Sequence, residues 1–239
     1  MKTMMLHRAE TRSHANLGWL DSYHTFSFGN YYNPERMNFG ALRVLNDDRI
    51  NPGMGFDNHP HDNMEIISIP LAGDIEHKDS MGNAAVIKYG DIQVMSSGTG
   101  ITHSKYNRNT DKESRFLQIW IIPNKYNVKP RYDHVALNLQ DRHNKLQQIV
   151  SPDPNDEGAW IHQDAWFYLG NFDKDFSVEY RVNIADNGVY CFIIKGEFTI
   201  ENIDLNRRDG LGITGTPNFQ IKSTAQDSEI LVMEVPMKF

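Results

Sequence analysis

Two closely spaced histidines are the clearest chemical feature of this sequence. The chain has 239 residues and ten histidines, two of which form the motif His59-Pro60-His61. Side chains at positions i and i+2 of an extended strand point to the same side, and Pro60 biases the preceding residue toward that extended geometry. Two neutral imidazoles held side by side suit zinc, iron, copper or nickel. On its own, such a motif more often marks two surface histidines at a strand edge.

The residues around the motif favour a metal site. Gly53 precedes it, Glu65 follows it, and Gly73 closes the next strand-like run. A second segment opens at Gly90 and ends at His103, after the run Ser97-Gly98-Thr99-Gly100. This arrangement resembles the paired sequence motifs of the cupin superfamily. In cupins, two antiparallel segments bring an HxH pair, a carboxylate and a later histidine to one metal inside a small barrel.

The elements that must position these histidines are β-strands. Helical periodicity is scarce, whereas short runs rich in β-branched and aromatic residues recur and end at turn residues. Many short strands at close spacing predict an antiparallel, all-β barrel or sandwich. The predicted strands are 41–45, 64–69, 85–89, 115–122, 166–169, 189–194, 198–200 and 229–233. The predicted turns include 46–48, 72–74, 81–83 and 89–91.

Composition excludes several classes of protein. With 39% hydrophobic and 23% charged residues, the chain is that of a folded globular protein. No apolar run reaches the roughly 18 residues of a membrane helix, and the first eight residues contain no apolar segment of the kind expected in a signal peptide. The net charge of −7 disfavours direct binding of nucleic acid. Cys191 is the single cysteine, so no intrachain disulfide forms, and we expect a cytoplasmic location without membrane partners.

We expect two cupin barrels of the double-stranded β-helix (jelly-roll) type in one chain. The predicted units are an N-terminal barrel over 1–125, a connector over 126–165 with a helical turn near 141–149, and a C-terminal barrel over 166–239. A faint internal echo between the two sets of strands supports this division. No histidine follows His162, so the second barrel lacks the ligand type of the first. The C-terminal tail is expected to pack on the N-terminal half.

A closer resemblance covers most of the N-terminal half. The segments that carry it are 24–28 (HTFSF), 42–48 (LRVLNDD), 59–61 (HPH) and 98–104 (GTGITHS). Together they resemble the pirin family, in particular its bacterial members. The resemblance implies a bicupin with metal, iron or another divalent transition metal, only in the N-terminal barrel. It also implies quercetin 2,3-dioxygenase activity on a flavonol, or a role as a regulatory cofactor with a protein partner.

One position departs from the family pattern. In pirins, three histidines and one glutamate hold the metal, and the resemblance places the histidines at His59, His61 and His103. The glutamate belongs two residues after the last histidine, where this chain has Lys105. Residues 103 and 105 share a face of the predicted strand. A lysine ammonium has three donors and no acceptor, so it cannot ligate a metal while it keeps its proton.

Several interpretations of Lys105 follow. The three histidines bind metal weakly, with water in the open positions; or Glu65 moves in as the carboxylate, as in other cupins. In a third interpretation, the site is metal-free and the ammonium replaces the cation, bonded to neutral imidazoles or paired with Glu65. A fourth has Lys105 extending out to solvent. From the sequence alone we favour the metal-free site.

The expected function depends on this position. Loss of the carboxylate removes a ligand and a possible base, so we predict reduced or absent dioxygenase activity. The alternative is a non-catalytic pirin that binds a partner protein or a small aromatic ligand. Lys105 and Glu65 are further candidates for a catalytic role, since a desolvated lysine can act as a base or nucleophile. We expect aromatic residues to line the pocket, namely Phe26, Phe28, Phe56 and Trp120.

Overall fold

β-strands form nearly the whole fold. A computed structural model describes residues 1–239 and contains 22 strands and three short 3-10 helices, which confirms the all-β prediction. None of the helices has the length and apolar character required to cross a membrane.

The 3-10 helices are Ala9–Thr11, Pro34–Arg36 and Leu139–Arg142. The strands are β1 (Thr3–His7), β2 (Ser13–Asn16), β3 (Leu20–His24), β4 (Leu42–Ile50), β5 (Gly55–His61), β6 (Glu65–Ala72), β7 (Ile75–Asp79), β8 (Ala84–Ile87), β9 (Asp91–Ser96), β10 (Ile101–Asn107), β11 (Ser114–Ile121), β12 (Arg131–Ala136), β13 (Leu146–Ser151), β14 (Ala159–Trp160), β15 (Trp166–Phe172), β16 (Ser177–Arg181), β17 (Asn187–Lys195), β18 (Phe198–Ile200), β19 (Ile203–Leu205), β20 (Gly210–Thr214), β21 (Asn218–Ser223) and β22 (Ser228–Pro236).

The strands form two pairs of sheets, each a large sheet of seven strands facing a small sheet of four. In the N-terminal pair the large sheet has the order β12-β9-β6-β11-β4-β3-β2 and the small sheet β5-β10-β7-β8. In the C-terminal pair the orders are β1-β20-β17-β22-β15-β13-β14 and β16-β21-β18-β19. Each pair is a jelly-roll barrel of the expected cupin type.

The two ends of the chain cross between the barrels. Strand β1 pairs with β20, with Thr3 opposite Thr214, so the first strand belongs to the C-terminal large sheet. At the other end, the backbone N–H of Ala41 donates to the carbonyl of Pro236 at 2.9 Å. The segment 126–165 contributes β12 to the N-terminal sheet and β13 and β14 to the C-terminal one. Residues 143–149, expected as part of a helical turn, run mainly as strand.

Packing distinguishes the two barrels. A core of 25 buried residues lies between the two large sheets and joins the barrels back to back. Inside the C-terminal barrel, 14 buried hydrophobic side chains fill the space between its sheets. This core includes Cys191, whose thiol is fully buried and has its pKa raised by that burial. Inside the N-terminal barrel only small apolar clusters of four and three residues form, because polar side chains and a cavity occupy its interior.

All eight predicted strands occur, but one predicted turn is wrong. Residues 46–48, expected to close the strand that begins near residue 41, lie inside the nine-residue strand β4. Their polar side chains are accommodated on both faces of the sheet. Asp47 faces the other barrel and pairs with Arg208 at 2.7 Å, whereas Asp48 points into the N-terminal barrel, where Ser22 donates to it. These side-chain partners outweigh the low strand propensity of Asn and Asp.

Candidate metal centre

The HxH pair lies on an edge strand. Strand β5 has a neighbour on one side only, and an edge strand tolerates Pro60, which has no N–H to give to a ladder. Along β5 the side chains alternate, so that Pro60 is exposed while His59 and His61 are half-buried. Both imidazoles therefore point into the N-terminal barrel, from a backbone that the proline ring stiffens.

The third histidine comes from the neighbouring strand. Strand β10 alternates strictly, with every second residue buried, which places His103 and Lys105 on its inner face. In the antiparallel ladder His103 lies directly opposite His59, and Ile101 lies opposite His61. Directly opposite residues share a face of the sheet, so the ladder brings the three imidazoles together.

The three imidazoles fit a divalent metal. Their ring centroids lie 4.5 to 5.0 Å apart, and one nitrogen from each ring lies within 4.8 Å of the others. The Nε2 atoms of His59 and His103 are 3.1 Å apart. Two nitrogens that bind one metal at about 2.1 Å are separated by about 3.0 to 3.4 Å at bond angles between about 90° and 109°. The observed separation therefore matches that of two ligands of one ion.

The protonation of the imidazoles also suits a metal. Nδ1 of His59 lies 2.7 Å from the carbonyl of Asp57, which can only accept, so Nδ1 donates and the neutral ring carries its lone pair on Nε2. Burial, with the repulsion of His59 and Lys105, lowers the pKa of His61 to about 4. Burial and the same ammonium lower the pKa of His103 as well. Both rings are neutral at neutral pH, which is the form that ligates metal.

Lys105 is buried beside the histidines but does not bond them. Its side chain is among the fully buried ones, so the interpretation in which it extends to solvent is wrong. The ammonium donates to the hydroxyl of Ser68 and, at 2.8 Å, to Oε1 of Gln118. It also lies 5.4 Å from the ring centre of Phe116. Burial lowers the pKa of Lys105 to about 7, and the attraction of Asp48 opposes that shift.

Glu65 lies on the other face of its sheet. Its neighbour Ile66 lines the cavity, so the alternation of β6 turns Glu65 toward the core between the barrels. There it accepts a hydrogen bond from Ser96 at 2.7 Å, and burial raises its pKa to about 7. This placement does not match the alternative in which Glu65 completes the ligand set, nor the one in which it pairs with Lys105.

A cavity of about 580 Å³ opens in front of the three histidines. Its volume falls in the range of about 300 to 1,000 Å³ that is usual for small-molecule sites. Phe28, Phe56 and Trp120 line it as expected. Phe26 does not, because it packs in the core between the barrels, where its ring lies 5.7 Å from that of Tyr190.

The structure adds residues that the sequence did not single out. Behind His103 lies the ring of His77, at 5.3 Å, and Nε2 of His77 lies 3.0 Å from a carboxylate oxygen of Asp79. Both side chains are fully buried. In the sequence, the indication of this pair is that His77 and Asp79 lie two residues apart on one strand, which turns both side chains to the same side. Asp48 is a further addition, since it lines the cavity but was interpreted as part of a turn.

Two back-to-back jelly-roll barrels, with a three-histidine site in one and an apolar core in the other, define a bicupin with a single candidate site for a divalent metal. Comparison with known protein families supports this class. The family model for pirin matches residues 6–121, and the model for the quercetinase C-terminal cupin domain matches residues 148–235.

Individual relatives cover nearly the whole chain. A quercetin 2,3-dioxygenase of Escherichia coli (strain K12) is 42% identical over 231 residues, which is 97% of this chain and 98% of the relative. A pirin-like protein of Caulobacter vibrioides is 36% identical over 92% of this chain and 94% of the relative. The crystal structure of the Escherichia coli pirin YhhW in complex with nickel(II) superposes with a TM-score of 0.92 at 40% identity, covering 98% of this chain and 99% of that one. The chain belongs to the pirin family.

Proposed function

We propose that this pirin binds one divalent metal through His59, His61 and His103 and accepts a flavonol-type ligand in the adjoining cavity. We further propose that Lys105 lowers its quercetin 2,3-dioxygenase activity below that of its relatives. The observation that carries the proposal is the convergence of three imidazoles at the wall of a cavity lined by aromatic side chains. The nickel complex of a relative and the dioxygenase named among the relatives support it.

The position of Lys105 favours a metal over an empty site. Had the ammonium replaced the cation, it would donate to the imidazole nitrogens, but its acceptors are Ser68 and Gln118. The imidazole nitrogens of the cluster are therefore not occupied by the ammonium, and their lone pairs can turn to a metal. We accordingly replace the metal-free preference drawn from the sequence with a site of three histidines and open positions.

This ligand set has no negative charge. Neutral imidazoles leave the full charge of a divalent ion uncompensated, and a protonated Lys105 nearby adds repulsion. We therefore expect metal to bind more weakly than it would with a carboxylate at this position. A divalent metal in such a site acts as a Lewis acid that favours ionisation of a bound hydroxyl.

The chain's own residues bind and orient the ligand. Trp120 stands edge-on to His61 at 5.0 Å and to Phe28 at 5.4 Å. Flat aromatic rings pack well against such a wall. The protein has no carboxylate at position 105 to receive a proton from the ligand, and Lys105 can receive one only in the fraction of molecules in which it has lost its own proton. The second candidate function is therefore binding of a flavonol-type ligand without efficient turnover. A protein partner stays a prediction from the family resemblance.

Substitution at position 105 tests the proposal. Wild type, Lys105→Met and Lys105→Glu are purified without a metal-affinity tag, and bound metals and oxygen consumption with quercetin are measured. Methionine removes the charge without adding a ligand, whereas glutamate does both. Lys88→Glu, at an exposed position, controls for the change of net charge.

The expected order is specific. Metal affinity should rise in Lys105→Met and rise further in Lys105→Glu, by about ten- to a hundredfold over wild type. Dioxygenase activity should rise only in Lys105→Glu. Wild-type activity per bound metal equal to that of Lys105→Glu would contradict the role of Lys105. Absence of both metal and flavonol binding in every variant would contradict the proposed function itself.

A further inference from the structure

A row of polar side chains crosses the floor of the N-terminal cavity. Its members occupy directly opposite positions on five neighbouring strands and share the inner face of the large sheet. In strand order they are His24 (β3), Asn46 (β4), Gln118 (β11), Ser68 (β6) and Gln93 (β9). Such a row replaces the apolar side chains that fill the same space in the C-terminal barrel.

Part of this row lacks partners. Lys105 satisfies Gln118 and Ser68, but Nδ1 of His24 and Oδ1 of Asn46 are buried with no hydrogen-bond partner. Buried polar atoms without partners are rare and point to a missing ligand or water. Both residues line the cavity, and a half-turn of the Asn46 amide exchanges its oxygen and nitrogen, so either atom can face a ligand.

Asp48 stands beside this row with one carboxylate oxygen free. It is 4% exposed and lines the cavity. Its Oδ1 accepts a hydrogen bond from Ser22 on the adjacent strand, whereas no protein group donates to Oδ2. Lys105, which is the one lysine or arginine in the cavity wall, donates to Ser68 and Gln118 instead. A buried carboxylate with an unused acceptor is suited to a ligand that brings its own donor.

Aromatic rings connect this polar group to the histidines. From His61 the wall passes through Trp120 and Phe28 to His24, with successive ring centroids 5.0, 5.4 and 5.1 Å apart. The span is that of a planar molecule of two or three rings. A ligand of that size with one end at the three histidines would direct its other end along this wall toward His24 and the polar row.

We propose that Asp48, together with Asn46 and His24, forms a second recognition point that accepts a hydrogen bond from a ring hydroxyl of the ligand. The inference rests on the proposed function and specifies its substrate class. The cavity selects polyhydroxylated flavonols over flavonols that carry only the metal-binding hydroxyl. A ligand without the distal hydroxyl leaves the carboxylate buried and unpaired, which weakens its binding.

Two flavonols distinguish binding at the metal end of the ligand from binding at the Asp48 end. Quercetin has hydroxyls on its outer rings, whereas 3-hydroxyflavone keeps only the hydroxyl next to the carbonyl. Binding of each to the metal-loaded protein is measured without oxygen at about pH 8.5, where Asp48 is ionised, by quenching of tryptophan fluorescence, in wild type, Asp48→Asn and Ser22→Ala. Asp111→Asn, at an exposed position, is the matched control. Ser22→Ala keeps the carboxylate but removes the hydrogen bond that positions it, and so tests the same contact without changing Asp48.

The expected result is selective. Asp48→Asn should weaken quercetin binding by about tenfold or more and 3-hydroxyflavone binding by less than about twofold. Ser22→Ala should cause a smaller loss with the same selectivity, and Asp111→Asn none. Equal losses for both probes, or no loss, would overturn the second recognition point while leaving the proposed function intact. Failure of wild type to bind either probe would overturn both.

Discussion

Replacement of Asp48 by asparagine should stabilise the protein, and increasingly so as the pH rises. Burial raises the pKa of Asp48 from 3.8 to about 7, helped by Asp47 and opposed by the Ser22 hydrogen bond and the attraction of Lys105. That change corresponds to roughly 4 kcal/mol of unfavourable free energy for the ionised carboxylate in the folded state. Asparagine has nearly the same shape, can keep the bond to Ser22 and is neutral at every pH.

The direction follows from proton linkage. Between pH 3.8 and about 7 the folded carboxyl holds a proton that the unfolded chain has released, so wild-type stability falls as the pH rises through this window. Above this pH window the carboxylate destabilises the folded protein by the full amount, and below the window it causes no loss of stability. The gain in unfolding free energy of Asp48→Asn over wild type should therefore grow by about 2 to 3 kcal/mol between about pH 5 and about pH 8.5.

Urea denaturation followed by tryptophan fluorescence, with EDTA present to exclude metal binding, measures this difference. The exposed variant Asp111→Asn should stay within about 0.5 kcal/mol of wild type throughout. A gain for Asp48→Asn that does not change with pH would refute the reasoning, since it would show that the carboxylate is solvated in the folded protein.

Three further predictions concern the frame that holds the cavity, each measured as a loss of unfolding free energy in urea. Asp47→Ala should cost about 2 to 3 kcal/mol, because it leaves Arg208 and a second partly buried guanidinium without their carboxylate; a loss below about 0.5 kcal/mol would contradict a role in joining the barrels. Gly98→Ala should cost about 2 to 4 kcal/mol, because φ there is +46° and a Cβ would collide with a backbone oxygen of Val128; wild-type stability would contradict this. Phe198→Ala should cost about 3 to 5 kcal/mol through the cavity left in the C-terminal core, and an unchanged midpoint would show that this core is loosely packed.

Local patterns predicted the parts of the fold that depend on few residues. The alternation of inward and outward side chains around Pro60 and along β10 could be predicted, because in a strand successive side chains point to opposite faces. The turn wrongly placed at Asn46 to Asp48 shows the limit, since these polar residues form strand only because partners distant in sequence, among them Arg208 and Ser22, satisfy them.

The missing information is chiefly register between distant strands. Nothing in the sequence of either segment indicates that Thr3 pairs with Thr214. The same holds for the polar row, whose members lie directly opposite one another only after five strands have aligned. The partners of Lys105 also belong to this class, because Ser68 and Gln118 reach it from the facing sheet.

Calorimetric titration of nickel(II) into metal-stripped protein tests the central claim most directly. Wild type should take up one equivalent, His59→Ala and His103→Ala should lose that binding, and Lys105→Glu should bind more tightly than wild type. No uptake by wild type, or uptake that the histidine substitutions leave unchanged, would contradict a metal centre built from His59, His61 and His103.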